Sequence, residues 1–571
     1  MRLLPYRFAV LKPLTVAAVL ACQAEAADAP PAPISPDKLM EHIKVLSSDA
    51  YEGRAPGTPG EAATVRYVTD RFREYGLKPG NPDGSYVQKV PMVGIASQPT
   101  VKFDGCAAAL QSLESPSDYV ATSTQTREQI DVKGSDLVFV GYGVVAPEYG
   151  WDDYKDVDVH GKTIVMLIND PQVPDPKDQT KLDDKMFKGK EMTYYGRWTY
   201  KYEIAAAKGA AGAIIIHETG PAGYPYFVIM NSWGRENFGI RSADGNAGDV
   251  PVRSWLRLDR AKTMLKACGQ DYDALKRAAA RPDFRPIQLG GTVDFHIKQQ
   301  VRNVDTLNVV AKLDGDDAKL KNDWVIYSAH WDHLGRNPLM HGNPIYHGAA
   351  DNASGTAALL ELARAYTNDA KAGKKPKRSV LFMATTAEEQ GLLGARYYAS
   401  NPLYPLQRTV ADLNIDGINP WGLTHDVAVI GGRNSSMDEL LDDAVKAQGR
   451  TVIQDSTPEL GTFYRADQFE FAKMGVPSLY IKGGDDYIGK PAAFGRQKQA
   501  EYIAKDYHQP SDVIKPDWDL RGGAQDMDLL YMVGRRLSDG NELLHFYADS
   551  EFRPKQDVLL GTVTGKGSAT P

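Results

Sequence analysis

Val325-Ile326-Tyr327-Ser328-Ala329-His330-Trp331-Asp332 is an apolar run that ends on a histidine, with a carboxylate two residues on. The run reads as a buried strand. About twenty residues later comes Gly348-Ala349-Ala350-Asp351-Asn352-Ala353-Ser354-Gly355, a turn-rich loop that opens a helix over 355–366, with Ser354 as its expected N-cap. Strands are expected at 307–312, 380–385, 413–415, 427–430 and 476–481, and helices at 392–399, 437–448, 469–474 and 529–544. This alternation predicts an α/β fold: a mixed, mostly parallel sheet flanked by helices. In such sheets ligands bind beyond the carboxyl ends of the strands. His330, Asp332, Glu388, Glu389 and Asp416 all fall just after expected strands, and His508 lies in a loop rich in turn residues.

Working outward, the chain is too long for one ordinary domain, at 571 residues. It is 42% apolar and 24% charged, a globular composition. The net charge is -7 with both signs dispersed, and no basic stripe marks a nucleic-acid partner. Residues 1–26 read as a signal peptide: Arg2, Arg7 and Lys12 precede an apolar core, and Ala24-Glu25-Ala26 offers a cleavage site. Val19-Leu20-Ala21-Cys22 also resembles a lipoprotein box, which would leave Cys22 acylated. Export is expected either way, to the periplasm or beyond, with no membrane span. Cys106 and Cys268 remain after cleavage, and either a disulfide or two buried thiols is expected.

Residues 27–129 read as the first part of the main domain, 130–285 as an inserted domain, 286–548 as the main domain's larger part and 549–571 as a C-terminal tail that frays or lies on the surface. The inserted stretch has its own strands, at 135–143, 162–168 and 213–216, and no cluster of histidines and carboxylates.

Two imidazoles and several carboxylates, without thiolates, suit a catalytic zinc site that keeps a position open for water. The set exceeds what one ion needs and fits two ions sharing a carboxylate. The ordered motifs are Glu52-Gly53-Arg54 with Pro56-Gly57-Thr58-Pro59-Gly60, His330-Trp331-Asp332, Gly348 to Gly355, Ala387-Glu388-Glu389-Gln390-Gly391, Asn414-Ile415-Asp416, Arg465-Ala466-Asp467-Gln468 and Tyr507-His508 with Asp512. With these, the chain resembles the zinc aminopeptidases of peptidase family M28 that carry a protease-associated (PA) domain insert. The resemblance implies two zinc ions per chain, bridged by Asp351, with His330 and Asp416 completing one and Glu389 and His508 the other. It implies Glu388 as general base, and Asp332 as the residue orienting His330. Peptides are the implied substrates.

Where the family often has Ser-Asp-His, this chain has Ala466-Asp467-Gln468. Tyr464 lies one position from a family tyrosine that contacts the reacting oxygen. His333, His341 and His347 are read as structural or pocket-lining. Arg433 and Arg465 are read as structural, with substrate-carboxylate binding as the alternative. Rival readings of the whole are a receptor-like binding protein on the same scaffold, a single-zinc acyltransferase resembling the glutaminyl cyclases, and a carboxypeptidase.

Overall fold

The computed structural model describes Met1 and residues 33–562, apart from 338, 339 and 341. The expected signal peptide, its cleavage site, Cys22 and His341 lie outside the described residues.

The strand Trp324–His330 is buried along its whole length and sits inside the sheet. It runs parallel to Ser379–Thr385 on one side and Thr409–Asn414 on the other. Ser478–Gly483 continues the parallel set. Antiparallel strands Ile287–Leu313 and Asp426–Val429 flank these four. A strand paired on both edges and covered on both faces needs an unbroken apolar run, which Trp324–His330 supplies. Helices Pro36–Leu46, Pro59–Tyr75, Ser354–Lys371 and Arg521–Asp539 pack with it around one apolar core.

A second core gathers residues between Phe103 and Ile297. Its strands Gln129–Phe139, Thr163–Leu167, Gly212–His217 and Val252–Arg257 run parallel in that order, and Tyr119–Thr122 closes the edge antiparallel. Cys106 and Cys268 form a disulfide at the side of this unit. The unit also draws in Phe103, Ala107, Leu110 and Tyr119, which precede residue 130.

The two units are joined by a long antiparallel ribbon. Val87–Gly105 pairs with Ile287–Leu313 from Val87↔Val309 to Gly105↔Gly291. The second of these strands begins some twenty residues before the expected 307–312. Its alternating Val293, Phe295 and Ile297 are buried, but bulges near Gln288 and Val293 interrupt the pattern.

Two local expectations are corrected. The cap of helix Ser354–Lys371 comes from Asn352, whose Oδ1 accepts from the Gly355 N–H at 2.8 Å; the Ser354 hydroxyl instead donates to the Ala350 carbonyl at 2.7 Å. The last helix of the main unit begins at Arg521, not 529. Its buried Gly522 and Gly523 read as turn residues in sequence, yet they let the helix meet the 418–422 loop, where a Cβ would collide. The C-terminal stretch lies on the surface through 562 and is anchored at two points. Helix Arg553–Leu559 docks through buried Phe552, and Gln556 exchanges hydrogen bonds with Phe546 and Leu544. One aromatic and one amide do this, too little to register as an apolar pattern.

Candidate metal centre

His330 ends its strand, and the chain then turns sharply through Trp331 and Asp332. The His330 Nδ1 is 3.2 Å from the Asp332 carbonyl and 3.7 Å from Asp332 Oδ1. This fixes the ring so that Nε2 faces the cleft. There it lies 3.3 Å from Asp351 Oδ1, 3.4 Å from Asp416 Oδ1 and 3.9 Å from Glu388 Oε2. His508 Nε2 approaches from the opposite side, 3.4 Å from Asp351 Oδ2 and 2.9 Å from Glu389 Oε2. Asp351 therefore turns one oxygen to each histidine. The structure brings together every metal-ligand residue expected from sequence, with Glu388 and Asp332 beside them.

Asp351 sits where backbone order breaks before the helix: Asp351 and Asn352 have non-helical dihedrals. Asp512 holds this break in place. Its Oδ1 accepts from the Ala350 N–H at 3.0 Å and its Oδ2 from the Asp351 N–H at 3.1 Å. Gly348 has φ +55, and a Cβ there would fall 2.6 Å from the His333 ring. Only glycine serves that position.

Arg54 locks the loops beneath the site. It is 1% exposed, and its guanidinium donates to the carbonyls of Trp331, Leu46, His347 and Gly348 at 2.7–2.9 Å. One side chain thus ties the segment after His330 to the segment before Asp351. The sequence marked Arg54 and Asp512 by motif only. Their roles emerge from contacts across hundreds of residues.

His333, read as structural, lies closer to the site than that reading implies. Its Nδ1 is 2.6 Å from Glu389 Oε1, and its buried Nε2 has no partner. His333, Asp351 and Glu389 form one group able to hold a cation; His330, Glu388 and Asp416 form another. His347 is structural, 2.7 Å from Asp49. Arg433 pairs with Asp442. The Tyr464 hydroxyl is turned to Glu551 Oε1 at 2.5 Å, away from the reacting position. Gln468 is buried in a network with Asn414 and the Phe463 carbonyl.

The adjacent glutamates differ sharply. Burial raises a carboxyl's pKa at both positions. At Glu389 the His508 charge outweighs it and holds the group down at about 2. At Glu388 burial wins over His330, aided by Asp416 and Glu389, and its pKa rises well above the usual range. Asp351 is held well below that range: burial opposes this, but the contacts from His330 and His508 prevail. The Glu388 side chain makes no hydrogen bond among the described residues, while its N–H donates to Asp332 Oδ1 at 3.1 Å.

Four carboxylates and two imidazoles pack this closely, three of the six residues buried and three half-buried, and the carboxylates repel one another unless cations compensate them. His508 Nδ1, His333 Nε2 and Asp332 Oδ2 are left buried without partners. Nitrogen and oxygen donors without thiolate suit a divalent metal such as zinc. The donor set fits the ion expected there.

The site opens into a cleft of about 890 Å³, lined by Asp351, Glu388, Asp416, Tyr224, Tyr480 and Tyr502 among others. A smaller cavity of about 90 Å³ reaches from Glu388 and His508 to Arg197, Tyr224 and Arg465. The second unit thus supplies part of the wall.

The carboxylate and imidazole cluster lies beyond the parallel strands of an α/β sheet, where such folds bind ligands, and its groups could hold metal ions. Residues 308–532 match the model of peptidase family M28. The chain is 34% identical over 140 residues to aminopeptidase NAALADL1 of Mus musculus, covering 24% of this chain and 17% of that one. It is 23% identical over 504 residues to the glutamate carboxypeptidase 2 homolog of Caenorhabditis elegans, covering 79% and 60%. The chain therefore spans less than two thirds of either relative. Among solved structures, an aminopeptidase from Aneurinibacillus sp. strain AM-1 superposes with a TM-score of 0.51 at 19% identity, covering 89% of this chain and 95% of that one. The fold is shared.

Proposed function

We propose that this protein is an exported metallo-aminopeptidase that holds two zinc ions and removes N-terminal residues from peptides, with Glu388 as general base. The observation that carries the reading is Asp351, whose two oxygens face His330 and His508 separately. Asp416 completes the donors on the His330 side, and Glu389 completes them on the His508 side. Glu388 stands beside them, uncommitted.

When bound, zinc ions polarise a carbonyl and lower the pKa of water toward ~7. The chain supplies the proton traffic. The Glu388 carboxylate accepts a proton from the attacking water and passes it to the departing amine nitrogen. Asp332 fixes the Glu388 backbone and the His330 ring. Residues 130–285, read as an inserted PA domain, shape access to the cleft and restrict substrates to short or flexible peptides.

Export is supported by the Cys106–Cys268 disulfide, which persists in oxidising compartments. Among the described residues no helix is long and apolar enough to cross a membrane. The complete donor set weighs against a receptor-like binding protein, and its two-sided arrangement weighs against a single-zinc acyltransferase.

Glu388→Gln tests the reading. The variant is expected to keep its zinc, counted by elemental analysis, and to lose about 10²–10⁴-fold in turnover. A near-normal rate would remove Glu388 from its role. Comparing N-blocked with C-blocked dipeptides separates aminopeptidase from carboxypeptidase action.

A further inference from the structure

His333 is 1% exposed, and its Nδ1 lies 2.6 Å from Glu389 Oε1. The other oxygen, Oε2, faces His508 Nε2 at 2.9 Å. Glu389 thus spans two imidazoles, and among the described residues nothing else hydrogen-bonds its carboxylate. Only one of these two contacts survives the arrival of a cation. A cation takes the lone pair of His508 Nε2, which then has no hydrogen to offer Glu389. The contact from His333 remains.

The other donors each have a separate hold. Asp332 fixes the His330 ring, and Asp512 fixes the Asp351 backbone. The Tyr480 hydroxyl donates to the Asp416 carbonyl at 2.9 Å, and the Tyr507 ring stacks on His508 with centroids 3.9 Å apart. Glu389 leaves a turn of three residues, Glu388–Gln390, between Ala387 and Gly391 in the left-handed region. So short a turn does not fix a side chain with several rotatable bonds. His333, by contrast, is itself held. Its N–H donates to the Arg54 carbonyl at 3.3 Å, and Gly348 packs on its ring so closely that a Cβ would fall at 2.6 Å. The His508 ring meets it edge-on, with centroids 5.8 Å apart.

Building on the two-zinc reading, we propose that His333 is a positioning residue for the ion on the His508 side: its Nδ1–H holds Glu389 Oε1 and leaves Oε2 to that ion. An ionised carboxylate only accepts, so the hydrogen sits on Nδ1. His333 Nε2 is buried without a partner, so no competing contact draws the hydrogen there. Among the described residues His333 hydrogen-bonds neither His330 nor Asp416, and the ion between those two is independent of it. The effect of losing His333 is therefore one-sided.

Zinc titration of the metal-free full-length protein against a chromophoric chelator tests the assignment, with a thermal melt reading the fold. His333→Leu keeps an apolar side chain in place of the ring and loses the donor. One of the two ions is then expected to bind about 10–100-fold more weakly, while the other keeps its wild-type affinity. His333→Asn places an amide N–H near the position of Nδ1 and is expected to restore most of the lost affinity. Wild-type affinity for both ions in the leucine variant, equal weakening of both, or an asparagine variant no better than leucine overturns the role. Nitrogen NMR of zinc-loaded wild type with isotope-labelled histidine gives a reading that needs no leucine variant. The ring whose signals vanish in His333→Asn is expected to carry hydrogen on Nδ1, and a bare or metal-bound Nδ1 overturns the role. If wild type takes up fewer than two ions, the two-zinc reading fails, while that Nδ1 still decides whether His333 holds Glu389.

Discussion

Asp512→Asn is the most informative single change away from the metal donors. Asp512 is 1% exposed, and its carboxylate oxygens accept from the backbone N–H groups of Ala350 and Asp351, with the Tyr502 hydroxyl donating to Oδ2 at 3.4 Å. Asparagine keeps one acceptor and turns an NH₂ group toward the other N–H. One charge-assisted bond is lost, and a buried donor is left unpaired, at a cost of about 2 kcal/mol. The Asp351 loop bears this cost, and Asp351 is the residue shared between the two halves of the site. Zinc affinity is therefore expected to fall by roughly 30-fold, within the ~10–100-fold usual for residues that orient metal ligands. Competition with a chromophoric chelator measures the affinity, and a thermal melt of the zinc-free protein reads the fold. Wild-type affinity in a folded variant would refute the positioning role assigned to Asp512.

Further expectations follow from the same contacts. Tyr464→Phe removes a hydroxyl bonded to Glu551, so stability should drop by about 1 kcal/mol while kcat holds; a large loss of kcat would return Tyr464 to the reacting position. Reducing the Cys106–Cys268 disulfide should destabilise the second unit by roughly 2–5 kcal/mol, seen as a lower Tm in reductant and absent in Cys106→Ser. Burial holds the Asp528 carboxyl up at about 7, against the Ile34 N–H contact that lowers it. The folded state thus binds more protons than the unfolded chain between about pH 4 and 7, so stability falls as pH rises through that window. Asp528→Asn should remove this term and raise Tm relative to wild type at pH 8 but not at pH 4. An equal shift at both values would assign the effect to packing.

The donor set was legible because each donor sits at a strand end or in a turn, where sequence pattern is strong. His330 closes an apolar run, and Asp416 follows another. The buried helix Ser354–Lys371 was legible for the same reason. What escaped was non-local or unpatterned. The long strand Ile287–Leu313 alternates plainly over Val293, Phe295 and Ile297, but its bulges broke the register. Helix Phe494–Lys505 buries only Gly495, so it has no apolar face to read. Arg54 and Asp512 bond to backbone that is distant in sequence, and His333 meets Glu389 fifty-six residues away.

The account rests on a pair of cations held on either side of Asp351. Anomalous diffraction from zinc-loaded crystals tests this directly. Two peaks are predicted, ~3.5–4 Å apart, one between His330 and Asp416 and the other between His508 and Glu389. A single peak, or none within reach of Asp351, would contradict it.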